Sequence, residues 1–375
     1  MPDKHLHIVS FNIPYPPNYG GVIDVFYKLK ALHSAGIKIH LHCFEYGRPV
    51  NKELYEYCEK IYCYKRKTGF LSAVGLKPYI VSSRRSEDLI RNLLKDDYPI
   101  LFEGLHSCYY LGDNRLEKCV KIYRESNIEH RYYFNLSGSE RNLGKKIYFF
   151  IAGMKLKLYQ KILKNADLML VVSESDVKYL SEKFPKNKIV FLPSFHTNEM
   201  LDVKEGRGKY ALYHGNLSVP ENEFTARFLI KKVFNDIRMP LKIAGLNPPK
   251  RLIRFASSYS NVEIIANPDD DEMKQLVRNA QLNVLVTFQA TGLKLKLLNA
   301  LYNGRFCLVN KKMLAGTGLD GICHVADSAE LLKKNVIKLF DVEFDNAELA
   351  LREEVLNENY SNKKNAAKLI DQIFR

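Results

Sequence analysis

Two successive doubly wound α/β units are the fold class this sequence predicts, and three observations predict it. At roughly 100–200 residues per domain, 375 residues make room for two domains. Short apolar runs alternate with amphipathic stretches along the whole length, the pattern of parallel strands joined by helices. That alternation breaks at Glu205-Gly206-Arg207-Gly208, which reads as a linker, and then starts again. The expected domains are 1–203 and 204–360, followed by a closing helix over 361–375.

The first unit opens with a strand over 5–11, a loop to Gly21, a helix over 22–35 and a strand over 38–44. A strand at 60–64, a helix at 86–94 and strands at 100–102 and 121–124 follow. A long helix is expected over 145–165, then strands at 168–172 and 188–192. The second unit repeats the scheme: strand 210–214, helix 223–234, strands 241–244 and 262–265, helix 270–279, strand 282–286, helix 294–302 and strand 306–309. The final helix, 363–374, is amphipathic, with Ser361 or Asn362 as its cap.

The apolar fraction of 46% is that of an ordinary globular chain. No apolar run approaches the ~18 residues of a membrane-spanning helix, and the N-terminus reads as a strand rather than a signal peptide. The expectation is therefore a cytoplasmic protein that can sit at the inner face of the cell membrane. Seven cysteines show no zinc spacing and read as buried free thiols. A formal charge of +15 favours polyanionic partners without choosing among them.

Five stretches carry chemistry. Gly20 and Gly21 stand between the first strand and first helix, where bare amides can approach an anion. Gly215 and Asn216 occupy the matching turn of the second unit. Around Thr291, Gly292 and Leu293 a helix begins with Lys294 and Lys296 in its first turn. Cations are electrostatically misplaced there, which points to a bound anion such as a diphosphate. Glu103 and His106 follow one strand, and Asn127, Glu129 and His130 follow another. Carboxylates and imidazoles at strand ends suit acid–base work or the holding of sugar hydroxyls. Finally, the helix over 145–165 shows an apolar stripe (Ile147, Ile151, Met154, Leu158, Ile162), expected to pack inward. Beside it runs a basic stripe of Lys146, Lys157, Lys161 and Lys164 that includes Phe150. That second stripe suits an anionic membrane surface.

In order and spacing, several stretches together resemble the GT-B glycosyltransferases often called group 1. They are Pro-Pro-Asn-Tyr-Gly-Gly at 16–21, Ser126-Asn127-Ile128-Glu129, the run 166–173, His214-Gly215-Asn216-Leu217 and the segment from Gly292 to Val309. The resemblance covers nearly the whole chain. It implies two Rossmann-like domains facing a cleft, the first holding the acceptor and the second the nucleotide-sugar, with the last helix crossing back onto the first. It implies no metal and no cofactor other than the nucleotide-sugar co-substrate. His106 matches a histidine beside the transferred sugar. With Glu129 and Glu103 it makes up the expected catalytic group, and Asn127 and His130 are placed on the acceptor side. The Gly20-Gly21 loop, Gly215, Asn216, Thr291, Gly292, Leu293, Lys294 and Lys296 are placed on the donor diphosphate, and Asn299 on the ribose. Two family glutamates are replaced here, by Thr291 and Asn299. Pro220-Glu221-Asn222 stands where a lysine is usual.

The leading expectation is transfer of a sugar from a nucleotide-sugar to a glycan or lipid-linked hydroxyl, in bacterial surface polysaccharide assembly. A GT-B epimerase or hydrolase and a non-catalytic nucleotide-sugar-binding scaffold are the alternatives. A nucleic-acid partner is not expected, because the basic residues form no nucleic-acid-binding module.

Overall fold

The structure is a computed structural model, and it describes residues 3–69, 75–140, 142–288 and 294–374. The chain forms two compact units. The first runs to Thr197 and is completed by the segment from Tyr360 onward; the second lies between them, from Asn198 to Asn359.

The first unit is built on a seven-stranded sheet. Its strands are β1 (His5–Val9), β2 (Lys38–Glu45), β3 (Lys60–Lys65), β4 (Ile100–Glu103), β5 (Lys121–Glu125), β6 (Leu168–Val171) and β7 (Lys188–Phe191), in the order β3-β2-β1-β4-β5-β6-β7. Every pairing is parallel. β4 and β6 are buried at every position, as parallel strands covered on both faces should be. The strand order reverses between β1 and β4, so their carboxyl ends diverge and leave a crevice.

Helix α1 (Gly20–Ser34) buries Val22, Val25, Phe26, Leu29 and Leu32 at helical spacing. Two helices that the sequence pattern does not announce follow β5 and β6: α2 (Glu129–Ser139) and, further on, α4 (Glu174–Lys183). Between them lies α3 (Leu143–Tyr159), which tightens into a 3₁₀ turn over Gln160–Asn165. The expected inward stripe of α3 is overturned. Ile147, Ile151, Met154 and Leu158 are 44–63% exposed, and only Ile162, in the 3₁₀ turn, joins the core. Gly153 sets the facing, because the Phe134 ring of α2 lies where its Cβ would be, 2.7 Å away.

A cluster of four opposed charges is buried beneath this sheet. Lys28 Nζ donates to Asp24 (3.0 Å) and to Glu103 (2.6 Å), and the Arg124 guanidinium donates twice to Asp24 (3.1 and 3.2 Å). Asp24 also accepts the Phe195 amide at 2.7 Å. Burial favours neutral carboxyls here, yet Arg124 and Lys28 hold Asp24 far below the usual carboxylate range, while burial pushes Glu103 upward. Glu103, expected to be catalytic, is thus corrected to a structural residue: its carboxylate is spent on Lys28, away from solvent.

A second polar chain links β1 and β2. His7 joins Asp96 (2.9 Å) and His42 (2.8 Å), and His42 joins the Tyr64 hydroxyl (2.8 Å).

The second unit has six strands: β8 (Ala211–His214), β9 (Leu241–Gly245), β10 (Val262–Ala266), β11 (Leu282–Leu285), β12 (Phe306–Val309) and β13 (His324–Val325). Their order is β10-β9-β8-β11-β12-β13, again all parallel, with the reversal between β8 and β11. The helix expected over 223–234 is α5 (Pro220–Phe228) followed by a π turn over Leu229–Val233. Helix α6 (Leu295–Asn303) precedes β12. The helix α7 (Asn346–Asn359) is locked down by Arg352, whose buried guanidinium donates to the carbonyls of Leu301, Gly304 and Arg305 at 2.6–3.2 Å.

The stretch around Glu205–Gly208 is built into this unit. Arg305 donates to the Glu205 and Gly206 carbonyls, and Gly206 bridges Phe344. The closing helix α8 (Asn362–Ile373) is capped by Ser361. Its Ala366, Leu369 and Ile373 enter the same cluster as Leu29 and Leu32 of α1, so it completes the first unit.

The cysteines are free thiols, five of them buried. No described helix is long and apolar enough to cross a membrane.

Candidate functional site

The reversal point of the first sheet opens into a cavity of about 640 Å³. Its floor is made by residues that leave β1 and β4: Phe11 and Asn12 on one side, His106 on the other, with ring centroids of Phe11 and His106 5.5 Å apart. Gly104 makes the sharp exit from β4 possible, with φ of 69°, a conformation that costs other residues a steric penalty. Gly21, at the start of α1, faces the Phe11 ring, which would lie 2.7 Å from any Cβ added there.

The walls are basic. Arg48, Arg66 and Arg84 all line the cavity, together with Asn18, Tyr19, Tyr46, Ile80 and Tyr133, and no carboxylate is among its described lining residues. Arg84 is fixed by donating to the Phe11 carbonyl (2.8 Å) and the Ile80 carbonyl. Burial, with the charge of Arg66 beside it, lowers its pKa to about 9. Arg66 donates to Ser83 (2.9 Å) and lies 4.3 Å over the Tyr46 ring. Arg48 stacks over Tyr19 and donates to the Pro16 carbonyl.

His106 Nδ1 has no hydrogen-bond partner among the described residues, and lies 3.7 Å from Glu129 Oε1. Burial first, then the arginines, hold the imidazole well below its ordinary pKa, so it is neutral. Burial also raises Glu129 to about 8, against the pull of Arg84. A neutral imidazole and a protonated carboxyl thus stand side by side at neutral pH.

Other expected residues fall elsewhere. The His130 ring is packed against Phe134 and Tyr179 and does not line the cavity, because it faces into the α2–α4 packing. Asn127 lies outside the cavity too, its backbone supporting the Glu125 carboxylate. Glu125 itself is buried, accepts the Tyr123 hydroxyl at 2.6 Å and is pushed far up by burial. The sequence reading passed over the three arginines. Their signal is positional: Arg48 and Arg66 each follow the end of a strand on the same side of the reversal, and Arg84 sits one loop beyond.

In the second unit, the Gly215 turn lies at the end of β8, at that sheet's own reversal. The Gly215 carbonyl lies against Gly245, where an added Cβ would meet it at 1.7 Å, so Gly245 is required for the turn. Asn216 accepts from the Ser218 amide (3.1 Å) and hydroxyl (2.7 Å), and Asn222 donates to the Asn216 carbonyl (2.9 Å).

Lys294 is the N-cap residue of α6 and Lys296 falls in its first turn, with no acidic residue and no side-chain cap there. Lys296 Nζ lies 5.7 Å over the Tyr213 ring, and burial lowers its pKa. His214, next to the turn, is lowered to about 4 by burial and by Lys296. Its Nε2 has no hydrogen-bond partner among the described residues. Glu221 accepts from Thr287 (2.5 Å) and from the Phe288 amide (3.1 Å). Asn299 accepts at Oδ1 from Asn303 (3.0 Å). Thr291, Gly292 and Leu293 lie outside the described residues. Half-buried positive charge at Lys296 beside a glycine turn is suited to an anionic group such as a diphosphate.

No family model matches the sequence. A Klebsiella pneumoniae protein described as an uncharacterized 44.6 kDa protein in the cps region is 25% identical over 386 residues, covering 95% of this chain and 96% of its own length. Among solved structures, TarM is similar with a TM-score of 0.70 at 11% identity. A UDP-forming α,α-trehalose-phosphate synthase from Burkholderia xenovorans, in complex with glucose-6-phosphate, is similar with a TM-score of 0.64, also at 11% identity. Both likenesses cover 99% of this chain and 99% of the other. At such identities they establish the fold: two α/β units of the GT-B class that the sequence led us to expect.

Proposed function

We propose that this chain is a glycosyltransferase that moves a sugar from a nucleotide-sugar to a hydroxyl of a negatively charged acceptor, in the assembly of a surface polysaccharide. The observation that carries this reading is the arginine-walled cavity beside His106 and Glu129 at the reversal point of the first sheet. Arginine forks match phosphate and carboxylate groups bidentately. The cavity has the size of a small-ligand site and lies where doubly wound sheets bind ligands. The Burkholderia synthase, solved in complex with glucose-6-phosphate, lends support to an anionic acceptor. The cps-region relative lends support to the polysaccharide setting.

In the reaction the acceptor oxygen bonds to the anomeric carbon of the donor as the bond from that carbon to the diphosphate oxygen breaks, and the acceptor's hydroxyl proton passes to the departing diphosphate. The partly exposed His106 imidazole meets a substrate hydroxyl at the cavity floor, with protonated Glu129 behind its buried Nδ1. The Gly215 turn, Lys296 and the start of α6 receive the negative charge that develops on the departing diphosphate, a contribution made by positioning and electrostatics. In this reading the lysines take the part a divalent cation plays elsewhere.

A second reading, nucleotide-sugar binding without turnover, draws on Asn299, whose Oδ1 is already engaged by Asn303. One assay separates the two. Release of nucleoside diphosphate is followed with a panel of nucleotide-sugars, with phosphorylated and unphosphorylated sugar acceptors, in EDTA. The proposed activity gives release that depends on the charged acceptor, and Arg66→Ala raises the acceptor KM about tenfold or more, the loss of one charge-assisted hydrogen bond. Nucleotide binding with no release under any acceptor would leave the second reading.

A further inference from the structure

The outward face of α3 is apolar along its length. Leu143, Ile147, Phe150, Ile151, Met154 and Leu158 are 69, 51, 55, 50, 44 and 63% exposed. Their spacing puts them on one stripe of the helix, opposite the buried Gly153 and Leu156. Leu76, 98% exposed, adjoins Gly75, whose carbonyl Lys155 of α3 grips at 2.9 Å. Soluble chains seldom leave so continuous an apolar strip uncovered, and one rimmed by polar residues marks an interaction surface.

Charge identifies the occupant. From Leu143 to Asn165 there are six lysines and no aspartate or glutamate. Lys146 and Lys157 flank one edge of the stripe, with Lys161 continuing the line into the 3₁₀ turn, and all three are exposed. Lysines in that position lay their methylene stems along an apolar surface and keep their ammonium groups at its polar boundary. A second copy of this chain fits poorly, because a two-fold contact sets the same face against itself and would oppose lysine to lysine. An anionic lipid surface satisfies both halves of the face at once.

We infer that α3 docks the protein on an anionic bilayer, lying in the interface with Ile147, Phe150, Ile151, Met154 and Leu158 among the acyl chains and its lysines at the lipid headgroups. At 17 residues the helix is about 25 Å long. It lies on the bilayer and does not span it, in keeping with the lack of any described helix fit to cross. The inference stands apart from the proposed reaction, since docking is read without donor or acceptor.

The test is flotation of the purified full chain with phosphatidylcholine vesicles, with and without phosphatidylglycerol. Ile147→Glu/Ile151→Glu and Lys157→Gln/Lys161→Gln are run in parallel, and light scattering reports the oligomeric state of each. These side chains are exposed, and unchanged far-UV circular dichroism confirms the fold of both variants. The expected result is binding to phosphatidylglycerol vesicles only, reduced about tenfold or more by either pair of substitutions. Binding that survives the Ile147→Glu/Ile151→Glu pair, equal binding to both vesicle types, or no binding to either overturns the inference. So does a dimer of the wild-type chain that the same pair dissociates, which would make this face a contact between copies.

Discussion

His106 Nδ1 and Glu129 Oε1 stand 3.7 Å apart beneath the floor of an arginine-walled cavity that His106 lines, each shifted by burial toward its neutral form. If His106 acts on a substrate hydroxyl with Glu129 behind it, His106→Ala lowers kcat by about 10²-fold, the lower end of what a positioned acid–base group contributes. Glu129, with a pKa of about 8, loses its proton as pH rises through that value. Turnover therefore falls above pH 8 in the wild type, and Glu129→Gln, which cannot ionise, removes that alkaline limb. A limb that persists in Glu129→Gln assigns it to another group.

Lys296 is predicted to serve the donor. Lys296→Ala weakens nucleoside diphosphate binding by about 1.5–3 kcal/mol, the usual range for a hydrogen bond to a charged group, with little change in melting temperature of the free protein. Titration calorimetry on the two proteins reads this directly. Equal affinities with an intact fold would remove the diphosphate from this place.

Breaking the buried charge cluster should unfold the first unit locally. Asp24→Asn leaves Lys28 and Arg124 with Glu103 as their one carboxylate, and costs about 3–5 kcal/mol, as loss of one partner of a buried ion pair does. Glu103→Gln costs less, because burial already pushes that carboxyl toward its neutral form. Hydrogen exchange of peptides spanning β4 and β5 measures both. A larger effect at Glu103 than at Asp24 would reverse the ranking.

The imidazoles of β1 and β2 make a pH prediction of defined sign. Burial lowers His7, lowers His40 to about 4, and lowers His42 further. Below the unfolded value of about 6.5, the unfolded chain takes up protons that the folded chain refuses. These groups thus remove stability as pH falls from there toward 4. Glu125 and Glu129, raised by burial, act in the opposite sense over the same range, so the net slope is not diagnostic. The difference between proteins is: His42→Phe loses less stability than the wild type between about pH 7.5 and 5. Urea midpoints by far-UV circular dichroism at the two pH values provide the check. An identical pH dependence in both would mean that His42 does not refuse its proton.

The strands were legible in the sequence because an apolar run bounded by polar loops leaves little else for it to be. Thus β12 falls at 306–309 as expected and the other expected strands shift by a residue or two at their ends, whereas the two-residue β13 was not foreseen. Position along a strand also pointed to His106, since a strand end at a sheet reversal is where ligands meet side chains. What could not be read was the direction in which a helix faces. The stripe of α3 has core composition and core spacing, and only Gly153 against Phe134 reveals that the opposite side is turned inward. The partners of Glu103 were equally hidden, because Lys28 and Glu103 meet across 75 residues of sequence. The arginines of the cavity come from three separate loops, and no local pattern joins Arg48, Arg66 and Arg84 before the sheet is assembled.

Because Ala366, Leu369 and Ile373 belong to the core around α1, the ribosome makes the whole second unit before the first has its last wall. The nascent first unit must wait with Leu29 and Leu32 uncovered, a window in which a chaperone, or premature self-association, has something to grasp. Stop codons late in the reading frame would then injure the beginning of the protein more than the part they adjoin.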